Sequence, residues 1–303
     1  MQFLAPLGLL MGFFLSGILV HLQSWTSLLI IFITLSGALR LRVTEIGGAL
    51  RDPLPVLAFF VSTRVLMPLF VFFVSSFFFS EDPDTVTGFV MLFASPPPVS
   101  GFIWIILFRG NKALGLSLIL LDTLLSPLVM PGTLSVLVGA KVAIDTGYMI
   151  VLLILVTVLP TVTGIAINET SRGKIPARIS PYFNPLSKIC LVMLVAINTS
   201  AVLPMIQFND PKVWKIAAFC VLFSILGFVL ARVVSFVIRS DFEKSVALLF
   251  PSGQRNIALT ITIAVNFFPE AVALPALLCV LFQQAISGFI GKLLLRNNRG
   301  ING

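Results

Sequence analysis

Apolar runs long enough to cross a lipid bilayer recur along the whole chain, and they constrain its fold more than any other feature. A membrane-spanning helix needs about 20 mainly apolar residues, so 303 residues leave room for roughly ten spans with short loops. The chain is 58% hydrophobic and 11% charged, whereas soluble domains are about 25% charged. Because the runs are continuous and do not alternate, they predict helices and not barrel strands. We therefore expect an all-α polytopic membrane protein that has the lipid bilayer as its partner.

Two of these runs are interrupted by segments at which a helix is expected to break, at 95–101 and 251–256. Proline lacks a backbone N–H and clashes with the preceding turn. In lipid, the freed peptide groups need protein partners or a water-filled cavity. Broken spans at matching positions of two halves indicate the binding site of a transporter. The candidate substrate-binding residues at the breaks are Ser100, Ser252, Arg255 and Asn256.

The chain divides into two halves that share one plan. The first repeat is predicted to cover residues 1–140, with helices 1–5 and its break at 95–101. The second is predicted to cover residues 141–303, with helices 6–10 and its break at 251–256. The predicted spans lie near 3–21, 26–39, 53–78, 86–108, 113–138, 147–167, 182–206, 211–238, 242–266 and 269–294. Because five spans is an odd number, the halves must run in opposite directions, which gives an inverted repeat.

The loops between the spans predict the orientation of the chain in the membrane. Lysine and arginine are concentrated in cytoplasmic loops, so their distribution sets the topology. One side holds Lys141, Lys212 and Lys215. The other side, which includes both termini, holds Arg40, Arg42, Arg51, Arg109, Lys112, Arg172, Lys174, Arg178, Arg239, Lys244, Lys292, Arg296 and Arg299. We therefore expect a multi-pass protein of the cell membrane (inner or plasma) with both termini in the cytoplasm. The net charge of +8 follows from this topology, and no nucleic-acid partner is expected.

Three charged residues are expected near the middle of the membrane: Arg64, Asp122 and Arg255. A charge that faces lipid without a partner is costly, so these residues are candidate site residues. One interpretation is an ion pair that locks helices together, with Asp122 bound to one of the arginines. In either case one positive charge is left over, and a bound anion could neutralise it. We expect Arg64 and Asp122 to be coupled.

Several short motifs, taken together, resemble one transporter family across nearly the whole chain. They are 32–41 with the Arg-rich loop after it, Val65-Leu66-Met67-Pro68, 95–111 continuing to Ser126-Pro127, 253–256, Ala273-Leu274-Pro275 and Ile286-Ser287-Gly288. In order and spacing they resemble the bile acid:sodium symporter (BASS) family. The resemblance implies ten helices arranged as a panel domain and a core domain. It also implies that the two broken helices cross in the core and that an organic anion binds between the domains.

The resemblance fails at the family's sodium ligands. The matching positions hold Pro251, Arg255, Thr63, Gly101, Phe102, Gly115 and Ile119. A sodium ion needs about five or six oxygen ligands, and these side chains supply almost none. By the same resemblance, Asn256 matches a substrate-site asparagine, and Gln284 lies where some members have histidine. The alternative is a local misalignment of the cation site.

Helix geometry adds one observation to the resemblance. Gly115, Ile119 and Asp122 are spaced i, i+4 and i+7, so they share one helix face. The chain therefore exchanges a metal cation for a fixed guanidinium and a carboxylate. Transport would then be uncoupled, or coupled to protons through Asp122.

The expected function is a secondary active transporter or facilitator of an organic anion by alternating access. The substrate would be a bile-acid-like compound or another carboxylate or sulfonate. Neither cofactors nor metals are expected, because the three cysteines form no Cys-x-x-Cys pair and His21 is the single histidine. Two alternatives are a sensor or receptor built on a transporter fold, for which 296–303 offers no output domain, and an intramembrane enzyme. The chain shows no acidic cluster or metal-ligand spacing for the latter, so an enzyme is not expected.

Overall fold

The computed structural model describes residues 4–39, 41, 52–139, 145–203 and 209–299. Every regular element in these ranges is helical, as the continuous apolar runs predict. Seven of the described helical segments are long and apolar enough to cross a membrane, and shorter apolar helices accompany them. The prediction of an all-α polytopic membrane protein is therefore confirmed. The number of spans and the inverted repeat stay predictions.

The helices of the first half begin with three apolar segments near the N-terminus. They are α1 (Leu4–Phe14), α2 (Ser16–Leu19) and α3 (Thr26–Ala38), with a 3-10 turn at Val20–Trp25. Then follow α4 (Pro53–Phe60), a π-helical turn at Val61–Leu66, and α5 (Met67–Phe78). The half is completed by α6 (Pro83–Ala94), α7 (Phe102–Leu107) and α8 (Lys112–Leu137).

The remaining helices lie between residues 146 and 299. They begin with α9 (Thr146–Leu153), a π-helical turn at Ile154–Val158, and α10 (Leu159–Thr170). The two long helices α11 (Lys174–Val202) and α12 (Pro211–Val237) follow. The half ends with α13 (Phe242–Gly253), α14 (Ile257–Phe267), a 3-10 turn at Glu270–Ala273, and α15 (Leu274–Arg299).

The two breaks differ in length. The first separates α6 from α7, and its residues 95–98 lie outside any helix. The second is shorter than the sequence predicts, because Pro251 belongs to α13 and only 254–256 are non-helical. A proline in the last turn removes a single backbone hydrogen bond, and the helix can continue for two more residues before it ends.

The helices pack in two groups. In one group α3 packs on α10 and α11, and α1 lies along α11. Two glycines allow that close approach: a Cβ on Gly8 would lie 2.8 Å from the Val192 carbonyl oxygen, and one on Gly12 would lie 2.5 Å from that of Ala196. This is the small-xxx-small pattern of membrane helix pairs. The other group contains α5, α6, α8, α12, α13 and α15, which pack on one another.

Loops that the charge distribution assigns to one side of the membrane also meet in space. The Asn111 N–H, before α8, donates to the Glu243 carbonyl at 2.9 Å. The Lys244 Nζ lies 2.7 Å from Asp52 Oδ2, before α4. These contacts place three of the loops that are rich in lysine and arginine on one face of the helix assembly.

The opposite face carries a second ion pair, in which Lys212 Nζ lies 2.8 Å from Asp82 Oδ2. Burial raises the pKa of the Asp82 carboxyl, but hydrogen bonds from Lys212 and Thr85 outweigh burial, so this pKa lies below its ordinary value. The pair is partly exposed, and exposed pairs contribute about 0–1 kcal/mol.

Candidate functional site

The two breaks are in direct contact. The Asn256 N–H donates to the Pro96 carbonyl at 2.8 Å, which ties the second break to the first. On the other side of the contact, a Cβ on Gly101 would lie 2.5 Å from the Gln254 Oε1. A side chain at 101 would displace this amide, because real Cβ atoms do not approach so closely. The two breaks therefore lie directly against each other.

Arg255 fills the space where the breaks meet. Its side chain is buried, with 2% of the residue exposed. Its Nη2 donates to the Ser252 carbonyl at 3.0 Å and its Nη1 to the Ser95 carbonyl at 3.5 Å. Its Cζ lies 5.8 Å from the centre of the Phe93 ring. The guanidinium thus bridges the C-terminal ends of α13 and α6, which carry partial negative charge.

The Arg255 Nε has no hydrogen-bond partner among the described residues. The sequence analysis named Arg255 as a candidate substrate-binding residue. In this conformation its Nη atoms bind carbonyl groups of the protein instead. Its charge still acts on the site, because Coulomb interactions are long-range in a low-dielectric interior.

The α15 helix holds the second break through two glutamines and a serine. The Arg255 N–H donates to Gln283 Oε1 at 2.8 Å, and Gln283 Nε2 donates to the Arg255 carbonyl at 3.0 Å. The Gln254 Nε2 donates to Ser287 Oγ at 2.9 Å. Sequence reasoning singled out Gln284 and missed its neighbour Gln283. The Gln284 Oε1 accepts a hydrogen bond from Trp104 Nε1 at 3.2 Å, so it contacts α7 and not the break.

Arg64 and Asp122 lie together in the interior, beside the first break. Both carboxylate oxygens of Asp122 accept hydrogen bonds from Arg64, through Nε and Nη2. The Arg64 Nη1 donates to the Ala94 carbonyl, the last of α6. In a continuous helix this carbonyl would accept from residue 98, but Pro98 has no N–H. The arginine therefore replaces the donor that the proline lacks.

The position of Arg64 follows from local helix geometry. Arg64 lies in the π-helical turn Val61–Leu66, four residues before Pro68. Proline excludes a regular turn before it, and π-bulges of this kind recur at functional sites. The neighbouring Thr63 donates its hydroxyl to the Phe59 carbonyl at 2.7 Å, so it does not join the ion pair.

The described residues contain three buried charged side chains: Arg64, Asp122 and Arg255. Because Asp122 binds Arg64, the charges of these two cancel. The charge of Arg255 has no buried counter-charge in the described part of the chain. The site therefore carries a net positive charge at the point where the two broken helices meet.

The remaining candidate residues have different positions. The Asn256 Oδ1 accepts from the Leu259 N–H at 3.2 Å, so this side chain caps α14 while the residue stays partly exposed. The Ser252 Oγ is buried and has no partner among the described residues. Ser100 belongs to the 3-10 turn Val99–Gly101, and its side chain lies outside the described part.

Five of the seven positions that match the family's sodium ligands hold glycine or an apolar residue. A Cβ on Gly115 would lie 2.4 Å from Ile105 Cδ1. Ile119 packs in one cluster with Trp104, Ile105 and Phe228. No group of three or more His, Cys, Asp or Glu residues that could hold a metal occurs in the described ranges. Since hard cations need several oxygen ligands, the side chains at these seven positions do not fit a sodium ion.

The sequence analysis did not identify one buried pair of polar side chains that are joined by a hydrogen bond. The Asn198 Nδ2 on α11 donates to Thr262 Oγ1 on α14 at 3.2 Å. The Asn198 Oδ1 is buried without a partner in the described part of the chain. An asparagine that ends a long apolar run is a signal in the sequence that could have found it.

Comparisons with known proteins agree with this architecture. The pattern of the sodium bile acid symporter family matches residues 27–207. The chain is 35% identical over 297 residues to the protein YbaS of Bacillus subtilis (strain 168), which covers 98% of this chain and 97% of that protein. It is 24% identical over 249 residues to the probable sodium/metabolite cotransporter BASS1 of Arabidopsis thaliana, covering 81% of this chain and 60% of the relative. It is 19% identical to the sodium-dependent transporter YocS of Bacillus subtilis, over 88% and 81% of the two chains.

Proposed function

The chain belongs to the sodium bile acid symporter family, and from that premise we propose that it is a secondary carrier of an organic anion that works by alternating access. That it is a multi-pass membrane transporter follows from the family and the apolar helices. The observation that carries the finer proposal is the contact between two broken helices around an uncompensated guanidinium. Such breaks bind substrates in other transporters because they expose backbone groups within the membrane.

The proposed substrate is a bile-acid-like compound or another carboxylate or sulfonate. A positive charge buried without a counter-charge attracts an anion, and the interaction is strong where water is excluded. We propose that Asn256 and Gln284 contact the substrate directly, with Ser100 and Ser252 nearby. Arg255 would attract the substrate through its positive charge from its buried position beneath these side chains.

We also propose that transport does not require sodium. The carbonyl groups of Ser95 and Ser252 are bound by Arg255, so a cation at the crossing would have to displace a guanidinium. At an effective dielectric constant of about 20, two unit charges 4 Å apart repel by roughly 4 kcal/mol. This corresponds to about a thousandfold loss of affinity. Because both Asp122 oxygens are bound by Arg64, we do not propose proton coupling through Asp122.

The proposed topology is two inverted repeats, residues 1–140 and 141–303, with both termini in the cytoplasm of a cell-membrane protein. Contacts between the loops rich in lysine and arginine support it, because those loops share one face. The positive-inside rule then assigns that face to the cytoplasm.

Uptake by the reconstituted full chain tests the proposal. Proteoliposomes loaded with the same unlabelled compound would be given labelled taurocholate, a sulfonate, or labelled pyruvate, a carboxylate, in sodium or choline buffer. We expect uptake of one probe above that of protein-free vesicles, at equal rates in the two buffers. A strict, saturable sodium requirement would refute sodium independence, whereas no uptake of either probe would refute the proposed carrier function.

Two variants test the binding site, and a third serves as a control. Asn256→Ser keeps an acceptor for the α14 cap, and Gln284→Ala removes a polar group beside Trp104. Both should weaken uptake through a higher KM for the transported probe. The matched control is Asn266→Ala, on the exposed face of the same helix α14. If both site variants behave like the control, the substrate binds elsewhere.

A further inference from the structure

We propose that this transporter works as an exchanger of organic monoanions, in which one anion enters as another leaves. The inference rests on the proposed function and goes beyond it, because a carrier of the same anion could equally return empty. It is carried by the charge balance at the crossing of the broken helices. The site has a net charge of +1 when it is empty and a net charge of zero when a monoanion is bound.

The charge balance follows from the groups that surround Arg255. Its nearest elements contribute the Phe93 ring, the Ser95 and Ser252 carbonyls, the amide of Gln283 and the Cys279 thiol, none of which is a carboxylate. The nearby buried charges in the described ranges are those of Arg64 and Asp122, which bind each other. No carboxylate is therefore left for Arg255 in this part of the chain.

Helix dipoles do not remove the surplus charge. The C-terminal ends of α6 and α13 meet at the crossing and carry partial negative charge, about half a unit for a long helix. The N-terminal ends of α14 and of the short helix α7 lie at the same crossing and carry partial positive charge. The partial charges at these helix ends have opposite signs and tend to cancel, so the positive charge of the guanidinium remains.

A surplus charge affects the empty and the loaded carrier differently. Alternating access requires an intermediate in which the site is closed to water on both sides. In the empty carrier that intermediate buries an unpaired charge, which is unfavourable. In the carrier loaded with a monoanion the charges are paired, and the barrier is lower. The loaded form therefore crosses readily in both directions, whereas the empty form returns slowly.

The buried donors at the site agree with this scheme. The Arg255 Nε and the Ser252 Oγ belong to residues three positions apart in the chain, and both atoms are buried and without partners among the described residues. A buried donor without a partner is unfavourable, and an anion or a water molecule that an anion orders would satisfy such a donor. These donors are thus suited to a negatively charged occupant.

The test compares the same vesicles with and without internal anion. Proteoliposomes of the full chain would contain potassium sulfate alone or potassium sulfate with unlabelled taurocholate or pyruvate, and uptake of the same labelled probe would be measured. We expect preloading to increase the initial rate by about tenfold or more, equivalent to about 1.4 kcal/mol of barrier. Uptake into preloaded vesicles should not respond to a potassium diffusion potential set with valinomycin, because one charge crosses in each direction.

Two variants connect this behaviour to the guanidinium. Arg255→Gln removes the surplus charge but keeps an amide that can donate to a carbonyl, so the ratio of preloaded to empty rates should fall to about one. Arg255→Lys keeps the charge and should keep the ratio high. The comparison between empty and preloaded vesicles of the unaltered chain needs no variant, so it decides the matter even if Arg255→Gln does not fold.

Failure of the exchange mode and failure of the proposed carrier function would give different results. Equal uptake by empty and preloaded vesicles would overturn the exchange mode and leave a carrier that returns empty. No uptake of either probe under any loading would overturn the carrier function, and the exchange mode with it. Trans-stimulation that persists in Arg255→Gln would show that another group prevents the empty carrier from returning.

Discussion

The ion pair between Arg64 and Asp122 predicts an inverted order of stability among variants. Asp122→Asn removes one charge and leaves the Arg64 guanidinium buried, with Ala94 as its remaining strong acceptor. Breaking a buried pair from one side costs about 3–5 kcal/mol. In Arg64→Gln/Asp122→Asn neither buried charge remains, so the double variant should be more stable than Asp122→Asn alone.

A double-mutant cycle gives the magnitude. Contacting charges of this kind have interaction energies of about 0.5–3 kcal/mol, and the two-point contact in a buried site favours the upper part of this range. The four purified proteins would be compared by thermal unfolding in one detergent. The parallel cycle on Asp82 and Lys212 is the control, because that pair is partly exposed and should give about 0–1 kcal/mol.

An interaction energy near zero, or one equal to that of the control pair, would refute the reasoning. It would mean that water reaches Asp122 or that Arg64 binds another group in solution. A double variant less stable than both single variants would likewise exclude a pair in which each charge needs the other.

Three further predictions follow from other contacts. Gly101→Ala should displace the Gln254 amide from its hydrogen bond to Ser287 and cost about 0.5–1.5 kcal/mol in thermal unfolding, whereas Gly17→Ala, with open space around it, should be neutral. Gln283→Ala leaves the backbone N–H and carbonyl of Arg255 without partners, so it should lower the unfolding temperature and the uptake rate together, by about 1–3 kcal/mol of stability per group. Because the pKa of Asp82 is lowered on folding, its contribution is complete above its ordinary value of 3.8 and is lost as the pH falls towards the folded value; Asp82→Asn should therefore unfold with less dependence on pH in that range.

The sequence alone was sufficient for the class of the protein and for the places where its helices are interrupted. Backbone groups have no water to bind in the hydrocarbon region, so continuous apolar runs must become helices. Proline has no N–H wherever it lies, so the run Pro96-Pro97-Pro98 interrupts a helix regardless of its neighbours. The second break was located less well, because Pro251 lies close enough to the end of α13 to be included in it.

Tertiary structure decided which polar groups meet. The sequence placed one aspartate and two arginines at the same depth, but only packing selects Arg64 as the partner of Asp122 and leaves Arg255 on the carbonyl groups. The choice of Gln283 over Gln284 has a similar cause. Neighbouring residues on a helix point about 100° apart, so a span's position in the sequence does not tell which of the two faces the break. Hydrogen bonds and ion pairs form within a few ångström, and such distances between separate helices are set by how the helices pack.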